Sequence, residues 1–459
     1  MQDPYDVLVV GGGPAGYVAA IRAAQFGARV ALAERDRIGG TCLNRGCVPT
    51  KSYLETAHTA WAIRNGSARG LLVDTPPRVD MKRVLAVKND AVRRLTGGVK
   101  ALLASRKVDV FAGRAELAGP GRVEVEGTGT LRARSVILAG GSVSSRLPVP
   151  GAGSPRVLLS EDILDLEALP SSLVVIGGGV IGVEIAQAFS AFGSRVSIVE
   201  IADRILPGMD AGLSKAVAES LARRGIPIHT GVAVQALEEA PGSVTVRLAD
   251  GRSIEGEYAL LSVGRRPDLS CLGTSGVETD RGRVVVNDRM ETNLPGVLAP
   301  GDLNGLRMLA HAAFAMGESS AETALGRPRI ADLRTVPSVV YGMPEAASVG
   351  RTEEEARSYR DDVSVGYFPF SANGRSVASG DTEGFVKVLA EPRFGELLGV
   401  HIVGSGASEL INEAAVLMRM EVTAFELADV FHAHPTRSEA LQEAAADALG
   451  RCIHLPARG

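Results

Sequence analysis

The sequence predicts an α/β protein with two copies of one strand–helix–strand unit and an α+β domain at its C-terminal end. Two observations support this prediction: residues 5–34 and 172–200 share one pattern, and the pattern changes from about residue 335. Each repeated segment has an apolar β-branched run, Gly-x-Gly-x-x-Gly, an Ala-rich helix pattern and a second apolar run ending in glutamate. A chain of 459 residues is too long for one core and favours about three domains.

The glycines of each unit are typical of a Rossmann-like dinucleotide site. The first glycine permits a tight turn, the second lets the backbone approach a pyrophosphate, and the third lets the helix pack on the strand. The phosphates lie at the helix N-terminus, where free N–H groups favour anions. A ligand-free glycine turn is disfavoured, because strand, helix and terminal acid match twice. The candidate residues are Gly11, Gly13, Gly16 and Glu34 in the first unit and Gly177, Gly179, Gly182 and Glu200 in the second.

Glu200 also bears on the choice of nucleotide. A carboxylate at the end of the second strand can accept hydrogen bonds from ribose hydroxyls and repels a 2′-phosphate. The second unit is therefore expected to prefer NAD over NADP, although Arg204 nearby leaves NADP open.

The cysteine pair Cys42 and Cys47 lies between the units, in the segment IGGTCLNRGCVPTKSYLETA. Such a pair suits redox chemistry, because a helix N-terminus after the glycine turn would stabilise one thiolate, with Lys51 one turn along the same face. A structural disulfide is disfavoured in a cytosolic chain, and a zinc site would need two ligands that the isolated Cys271 and Cys452 do not supply. No metal is expected. A flavin is the sensible intermediary between thiols and NAD.

A candidate base, His434, precedes Pro435, and Glu439 follows it in the segment FHAHPTRSEALQEAA. A thiol must lose its proton before it attacks a disulfide, and a histidine oriented by a carboxylate suits that step. His-Pro in a loop is also typical of a structural or surface histidine, so both interpretations stay open on these residues alone.

Composition excludes other classes of protein. The net charge of −4 attracts no polyanion, so nucleic acid is not an expected partner. No apolar run is long enough to cross a bilayer, and the N-terminal MQDPYDVLVVGGG lacks the basic segment of a signal peptide. We therefore expect a cytoplasmic protein without membrane contact.

Seven segments carry a resemblance to a known family: GGTCLNRGCVPTK, GGGVIGVE, VLAPGD, MLAHAAFAMG, FPFSANGR, GVHIVGSGASELINEAA and HAHPTRSEALQEAA. Together they resemble dihydrolipoamide dehydrogenase, within the FAD-dependent disulfide oxidoreductases. The resemblance runs from about residue 5 to 445. It implies an FAD-binding domain at 1–145, an NAD-binding domain at 146–266, a central domain completing the FAD site at 267–334 and a dimerisation domain at 335–459.

The resemblance also implies which residues contact the two non-covalent cofactors. Beside the glycine turns, NAD would contact Val232 and Gly264. FAD would contact Gly40, Thr41, Lys51, Ala115, Gly141, Asp302, Met308, Leu309, Ala310 and His311.

The implied catalytic roles begin with Cys42, the thiol that meets the substrate, and Cys47, the thiol that faces the flavin. Lys51 and Glu184 would pair beside the flavin ring. The enzyme would be an oxidoreductase that converts dihydrolipoamide on a separate lipoyl carrier protein to lipoamide, reduces NAD to NADH and contributes to cell redox homeostasis.

The resemblance assigns the acid–base role to the second subunit of an obligatory homodimer. His434 would be the base and Glu439 the residue that orients it. The peptide bond between His434 and Pro435 would be cis.

Other members of the wider group remain alternatives. A glutathione-type reductase commonly prefers NADPH, which Glu200 disfavours. Mercuric reductase and high-molecular-weight thioredoxin reductase need a C-terminal cysteine pair, whereas Cys452 stands alone. A soluble transhydrogenase lacks part of the redox pair. A non-catalytic assembly subunit predicts decay of the catalytic set, which is complete here.

Two segments depart from the family pattern. Gly342 and Met343 stand where the family usually has threonine and a polar or acidic residue, and the stretch Ala312–Met316 is more apolar than in many members. Both bear on the docking surface and on which lipoyl carrier is served.

Overall fold

The computed structural model describes residues 4–456. Residues 1–3 and 457–459, the outer ends of the first and last predicted domains, lie outside the described part. The start of the N-terminal segment used against a signal peptide also lies there.

The first unit forms a sheet with a parallel half and an antiparallel half. Its strands are β1 (Tyr5–Val10), β2 (Val30–Glu34), β3 (Asp109–Ala112), β4 (Ala115–Gly119), β5 (Arg122–Val125), β6 (Gly129–Leu138) and the separate β7 (Ser142–Ser144). Its helices are α1 (Pro14–Gln25), α2 (Gly40–Arg45), α3 (Cys47–Arg64), a 3-10 turn (Gly66–Arg69) and α4 (Met81–Ser105). Strands β3, β2, β1 and β6 are parallel in that order, and β5 and β4 continue the sheet antiparallel.

The second unit forms its own parallel sheet. The strands are β8 (Val157–Leu159), β9 (Ser172–Ile176), β10 (Arg195–Val199), β11 (Ile228–His229), β12 (Val234–Ala240), β13 (Ser243–Leu248), β14 (Ser253–Gly256), β15 (Tyr258–Leu261) and β16 (Arg265–Pro267). The helices are α5 (Ser160–Ile163), α6 (Val180–Phe192) and α7 (Ala211–Arg223). The parallel order is β11-β10-β9-β15-β8, β12 to β14 form an antiparallel hairpin sheet, and β16 pairs with β7. The boundaries predicted for the NAD-binding domain, near residues 145 and 266, lie at the β7–β16 strand pair.

The central segment returns to the first sheet. It contains a 3-10 turn (Leu269–Leu272), β17 (Thr279–Asp280), β18 (Arg283–Val284), β19 (Val297–Leu298), a second 3-10 turn (Gly301–Asn304) and α8 (Ala310–Ala324). Strand β19 pairs parallel with β6. Helix α8 packs on α1 so closely that a Cβ at Gly317 would lie 2.4 Å from Ala15 O. The segment after β19 therefore lies beside the first glycine turn.

The C-terminal segment is an antiparallel sheet covered by helices. It has β20 (Ser338–Val340), β21 (Ala346–Gly350), α9 (Glu353–Tyr359), β22 (Ser364–Pro369), a 3-10 turn (Phe370–Ala372), α10 (Gly374–Ser379), β23 (Phe385–Ala390), β24 (Leu397–Val403), α11 (Ala407–Arg419), α12 (Ala424–Asp429) and α13 (Glu439–Ala448). The strand order is β20-β21-β24-β23-β22. Val388 and Ile402 of the sheet and Leu441 of α13 are buried in one core. The predicted fold class is confirmed.

Candidate active site

The two glycine turns have the same geometry. Gly11 and Gly177 have φ of +102° and +105°, a region that favours glycine. A Cβ at Gly11 would lie 2.3 Å from Ala139 O, and a Cβ at Gly16 would lie 1.8 Å from Gly11 O. Gly182 shows the same close approach, 2.0 Å to Gly177 O. The fold itself therefore requires the first and third glycines of each turn.

The middle glycines are not required by packing within the described chain. The nearest atom to a Cβ at Gly13 would be Gly40 Cα, at 3.7 Å, and nothing lies within 4 Å at Gly179. Both glycines are N-caps, of helices that begin at Pro14 and Val180, and neither helix has a side-chain cap. Bare backbone and free N–H groups thus meet where a pyrophosphate would lie. The residues present fit a dinucleotide in both turns.

A glutamate braces each turn. Glu34 Oε2 accepts a hydrogen bond from Gly12 N–H at 2.6 Å, and its Oε1 accepts one from Asp36 N–H at 2.8 Å. Glu200 holds Gly178 N–H in the same way, at 2.6 Å. Carboxylate oxygens accept more than one hydrogen bond, so both residues can also bind a ribose hydroxyl. The bracing contacts were not predicted from the sequence.

Arg204, which kept NADP open at the sequence level, is engaged by another side chain. Its Nη1 and Nη2 donate to Glu354 Oε1 and Oε2, at 2.9 and 2.7 Å. Bidentate pairing of this kind occupies the guanidinium fork. The Glu200 carboxylate, by contrast, is held by the backbone N–H groups of Gly178 and Ala202.

The two cysteines lie on consecutive helices. Cys42 is on α2, and Cys47 is the first residue of α3; both are free thiols. A hydrogen bond from the Cys42 thiol, assisted by the Lys51 ammonium, lowers the pKa of Cys47 to about 7. The same hydrogen bond, together with burial, raises the pKa of Cys42. Cys47 is therefore the sulfur that carries the negative charge.

An ion pair stands beside the cysteines. Lys51 Nζ lies 2.9 and 2.7 Å from Oε1 and Oε2 of Glu184, whose side chain is 3% exposed. Tyr341 N–H donates to Glu184 Oε1 at 2.9 Å, and the centroid of the Tyr341 ring is 4.5 Å from Lys51 Nζ. The ammonium is thereby held one helical turn from Cys47. Nothing in the sequence pointed to Tyr341, because it is remote in the chain from both members of the pair.

Gln187 explains the departure at Gly342 and Met343. It follows Glu184 by one turn of α6, and its Oε1 accepts a hydrogen bond from Met343 N–H at 2.5 Å. A Cβ at Gly342 would lie 2.1 Å from Gln187 Nε2. A larger residue at 342 would displace Gln187, so the glycine and the glutamine fit each other.

Asp302 lies in the 3-10 turn that follows β19. Its Oδ2 accepts a hydrogen bond from Ser142 Oγ at 2.6 Å, and Arg265 Nε donates to the same hydroxyl at 2.9 Å. The strand pair β7–β16 supplies both residues, so a carboxylate at the edge of the first sheet is linked to the connection between the two units. Ser142 and Arg265 were missed by sequence reasoning.

The other residues predicted to contact FAD or NAD have differing surroundings. Gly141 and Gly264 have φ of +74° and +102°, with nothing within 4 Å of a Cβ. Helix α8 begins at Ala310, directly after Met308 and Leu309, and His311 is its second residue. His311 Nε2 lies 2.8 Å from Pro337 O. Thr41 is exposed, whereas the side chains of Ala115 and Val232 are buried, which leaves their backbone groups to contact a ligand.

The histidine pair lies at the other end of the chain. His434 Nδ1 is 2.7 Å from Glu439 Oε1, and Glu439 Oε2 accepts from Thr436 N–H at 2.7 Å. Burial alone would raise the pKa of Glu439, but the Thr436 N–H and His434 together bring it below its ordinary value. The peptide bond between His434 and Pro435 is cis, and the His434 side chain is 77% exposed. Within residues 4–456 no hydrogen bond or ion pair joins it to the cysteines.

Two dinucleotide turns, a polarised cysteine pair and a covered antiparallel sheet define a disulfide oxidoreductase that uses a flavin and a pyridine nucleotide. The chain belongs to the pyridine nucleotide-disulphide oxidoreductase family, whose pattern matches residues 5–317. Residues 336–445 match the dimerisation domain of that family, which supports a homodimer. The expected cofactors, FAD and NAD, are those of the family, and the two turns fit them.

Relatives of known name match over the whole chain. The protein is 41% identical to dihydrolipoyl dehydrogenase of Thermus scotoductus, over 98% of this chain and 99% of that one. It is 39% identical to dihydrolipoyl dehydrogenase 3 of Pseudomonas aeruginosa, over 99% and 100%. Among solved structures, LpdA of Mycobacterium tuberculosis has a TM-score of 0.89 at 30% identity, over 96% and 99%. The HOCl-induced flavoprotein disulfide reductase RclA of Escherichia coli has a TM-score of 0.87 at 28% identity, also over 96% and 99%.

The described residues also bear on two other kinds of site, a membrane span and a metal centre. None of the helices within residues 4–456 combines the length and apolarity needed to cross a bilayer. In the same part of the chain, no group of three or more His, Cys, Asp or Glu residues is placed to hold a metal ion.

Proposed function

We propose that this protein is an NAD-dependent dihydrolipoyl dehydrogenase, which oxidises dihydrolipoamide on a lipoylated carrier protein to lipoamide. The observation that carries the proposal is the polarised pair, with Cys47 at the start of α3, its pKa near 7 and the Lys51–Glu184 ion pair beside it. Such a pair accepts two electrons as it opens from a disulfide to two thiols. The full-length relatives named dihydrolipoyl dehydrogenase support the choice of substrate.

The substrate half of the reaction uses the histidine and both cysteines. His434, with its ring held by Glu439, takes the proton of one dihydrolipoamide thiol. The thiolate attacks Cys42 Sγ of the Cys42–Cys47 disulfide, and Cys47 leaves as a thiolate. The second substrate thiol attacks the mixed disulfide, which releases lipoamide and leaves Cys42 as a thiol. Dihydrolipoamide is thereby oxidised by two electrons to lipoamide, and the cysteine pair is reduced by two.

The cofactor half depends on binding by the two turns. FAD supplies the route by which the electron pair of the thiols reaches NAD. The first turn, Glu34, Asp302 and the start of α8 would hold it, and Lys51 stabilises the adjacent negative charge. The second turn and Glu200 would hold NAD, and the engagement of Arg204 by Glu354 supports NAD over NADP.

The proposed active enzyme is a homodimer in which His434 serves the cysteines of the other copy. Three observations support this: the exposure of His434, its lack of contact with Cys42 and Cys47 in its own chain, and the match of 336–445 to a dimerisation domain. We place the reaction in the cytoplasm, where thiols are kept reduced.

The test is NADH formation by the purified FAD-loaded protein, given dihydrolipoamide and NAD, with NADP in parallel. We expect turnover with NAD and little with NADP. Cys47→Ser should abolish turnover, whereas Cys452→Ser, a matched change outside the pair, should retain it. If the protein holds FAD and a reducible disulfide but does not oxidise dihydrolipoamide, it is a different disulfide reductase of the family with another substrate. Turnover that survives Cys47→Ser would contradict the mechanism.

A further inference from the structure

A cavity of about 790 Å³ lies at the C-terminal end of α3. Residues of the first unit, the second unit and the C-terminal segment line it. Its volume is within the range of small-molecule sites. The cavity lies apart from the glycine turns, the cysteine pair and the histidine pair. Its wall includes Trp61 and Arg64 at the end of α3, Gln187 on α6, Arg223 and Arg224 at the end of α7, and Glu383 before β23.

The charged residues of the wall leave it positive. Arg64, Arg223 and Arg224 contribute three guanidinium groups, against one carboxylate, that of Glu383. Glu383 pairs with Arg223 and lies 3.6 Å from Arg224 Nη2. One carboxylate does not neutralise three guanidinium groups, so the cavity favours an anion. Arginine forks match the oxygens of phosphate groups in geometry.

Two buried donors of the same wall lack acceptors. Gln187 is 2% exposed, and its Nε2 has no hydrogen-bond partner in the part of the chain that the structure describes. Arg224 Nη1 is likewise buried and unpaired there. Buried donors without acceptors are uncommon in folded proteins. A ligand rich in acceptor oxygens would give Arg224 Nη1 an acceptor.

The wall also offers a flat ring. The guanidinium carbon of Arg224 lies 4.7 Å from the centroid of the Trp61 ring, and Trp61 is 37% exposed. An indole in this position gives a planar ligand a surface on which to stack. The positive charge of the wall, its unpaired donor and the Trp61 ring together favour one kind of ligand, a planar group that carries phosphates.

We propose that this cavity is a binding site for a nucleoside diphosphate, separate from the two dinucleotide turns. The phosphates lie among Arg64, Arg223 and Arg224, and the base stacks on Trp61. The site does not depend on which disulfide or dithiol the enzyme takes as its substrate.

Trp61, the single tryptophan of the chain, reports binding directly. ADP is titrated into the FAD-loaded dimer while tryptophan fluorescence is recorded. We expect a saturable change in the wild-type protein and at least about tenfold weaker binding in Arg224→Gln, which loses a charge-assisted contact. Arg247→Gln is the matched control, because Arg247 pairs with Glu238 on the exposed β12–β13 hairpin. It should bind ADP like the wild type.

Two further comparisons separate this site from the glycine turns. Arg64→Gln, whose parent side chain is exposed and donates to Ala191 O, serves if Arg224→Gln does not retain FAD. ADP titrations that are the same in wild type and in the folded arginine variants would place ADP elsewhere and overturn the proposal. Inorganic diphosphate should bind more weakly than ADP, and adenosine should bind least. Diphosphate binding as tight as ADP binding would overturn the stacking on Trp61.

Discussion

At the scale of single residues, the negative charge at Cys47 depends on neighbours from one short stretch. Cys42 donates the hydrogen bond that has the largest effect, and Lys51 adds the second favourable contribution. Burial and, to a smaller extent, Glu184 raise the pKa of Cys47, but Glu184 also holds Lys51 in place. The pKa near 7 is the balance of these contributions.

Replacing Cys42 by alanine should therefore raise the pKa of Cys47 more than Lys51→Met does. Each change removes a contact that favours the thiolate, and shifts of about one unit or more are expected. As the pKa rises, the thiolate present at neutral pH in the wild type appears only at higher pH. The measurement is a pH titration of ultraviolet thiolate absorbance in the reduced protein.

The other cysteines do not disturb that titration. Burial raises the pKa values of Cys271 and Cys452 to about 12. Lys100→Met, on the exposed side of α4, is the control and should leave the pKa of Cys47 near 7. A larger shift for Lys51→Met than for Cys42→Ala would show that the ammonium, and not the hydrogen bond, dominates.

Glu439→Gln should lower turnover of dihydrolipoamide by about 100-fold or more while FAD content stays the same. The amide removes the negatively charged acceptor that orients the His434 ring. Steady-state rates across pH measure the effect. Glu443→Gln on the same helix is the matched control, since Glu443 also pairs with a histidine, His454. Equal losses in both variants would assign the effect to α13 as a whole.

At the scale of elements, a buried carboxylate joins the second unit to the C-terminal sheet. Asp210 caps α7 through Gly212 N–H at 3.0 Å, and it accepts Lys387 Nζ of β23 at 3.0 Å on both oxygens. Asp210 is fully buried and Lys387 is 7% exposed. One side chain thus caps the start of a helix and connects the second unit to the C-terminal sheet.

Asp210→Asn should destabilise the protein by about 1–3 kcal/mol, because it removes one of the two carboxylates that pair with the buried Lys387 ammonium and leaves only Glu353, at 2.5 Å. Urea unfolding followed by circular dichroism gives the shift in midpoint. Asp250→Asn is the control, since Asp250 pairs with Arg252 at the surface. That change should leave the midpoint where it is. An Asp210→Asn midpoint equal to the wild-type value would show that the two sheets are held together elsewhere.

At the scale of the whole molecule, the proposed site needs two copies of the chain. The cysteines begin α3 in the first unit, whereas His434 precedes α13 at the edge of the C-terminal sheet. The side chain of His434 is exposed in its own chain and is free to meet a second copy.

Mixing two inactive variants should restore activity. In a dimer of a Cys47→Ser chain and a His434→Gln chain, one site carries both defects and the other carries neither. Random pairing makes about half of the dimers mixed, so about one quarter of wild-type activity is expected. Turnover of dihydrolipoamide after co-expression measures it, with each variant alone as the control. A mixture as inactive as its parents would place His434 and the cysteines of one chain in the same site.

The sequence by itself determined the two strand–helix–strand units, the glycine turns and the fold class of the C-terminal domain. It also predicted that Cys47 and Lys51 share a helix face. These features are local, because the 3.6-residue period of a helix and the need for glycine at a tight turn act within a few residues. The pairing of His434 with Glu439 was implied by the resemblance to a known family and not by the residues alone, and their roles in catalysis stay predictions.

Only the tertiary structure decided which distant residues meet. Tyr341 bonds to Glu184, Ser142 links Arg265 to Asp302, and Gln187 occupies the space beside Gly342. Each contact joins segments more than 100 residues apart, as the separations 157 and 160 for the first two show. The periodicity of a sequence does not predict such contacts. They depend on how sheets and helices pack and on which polar groups become buried and therefore need hydrogen-bond partners.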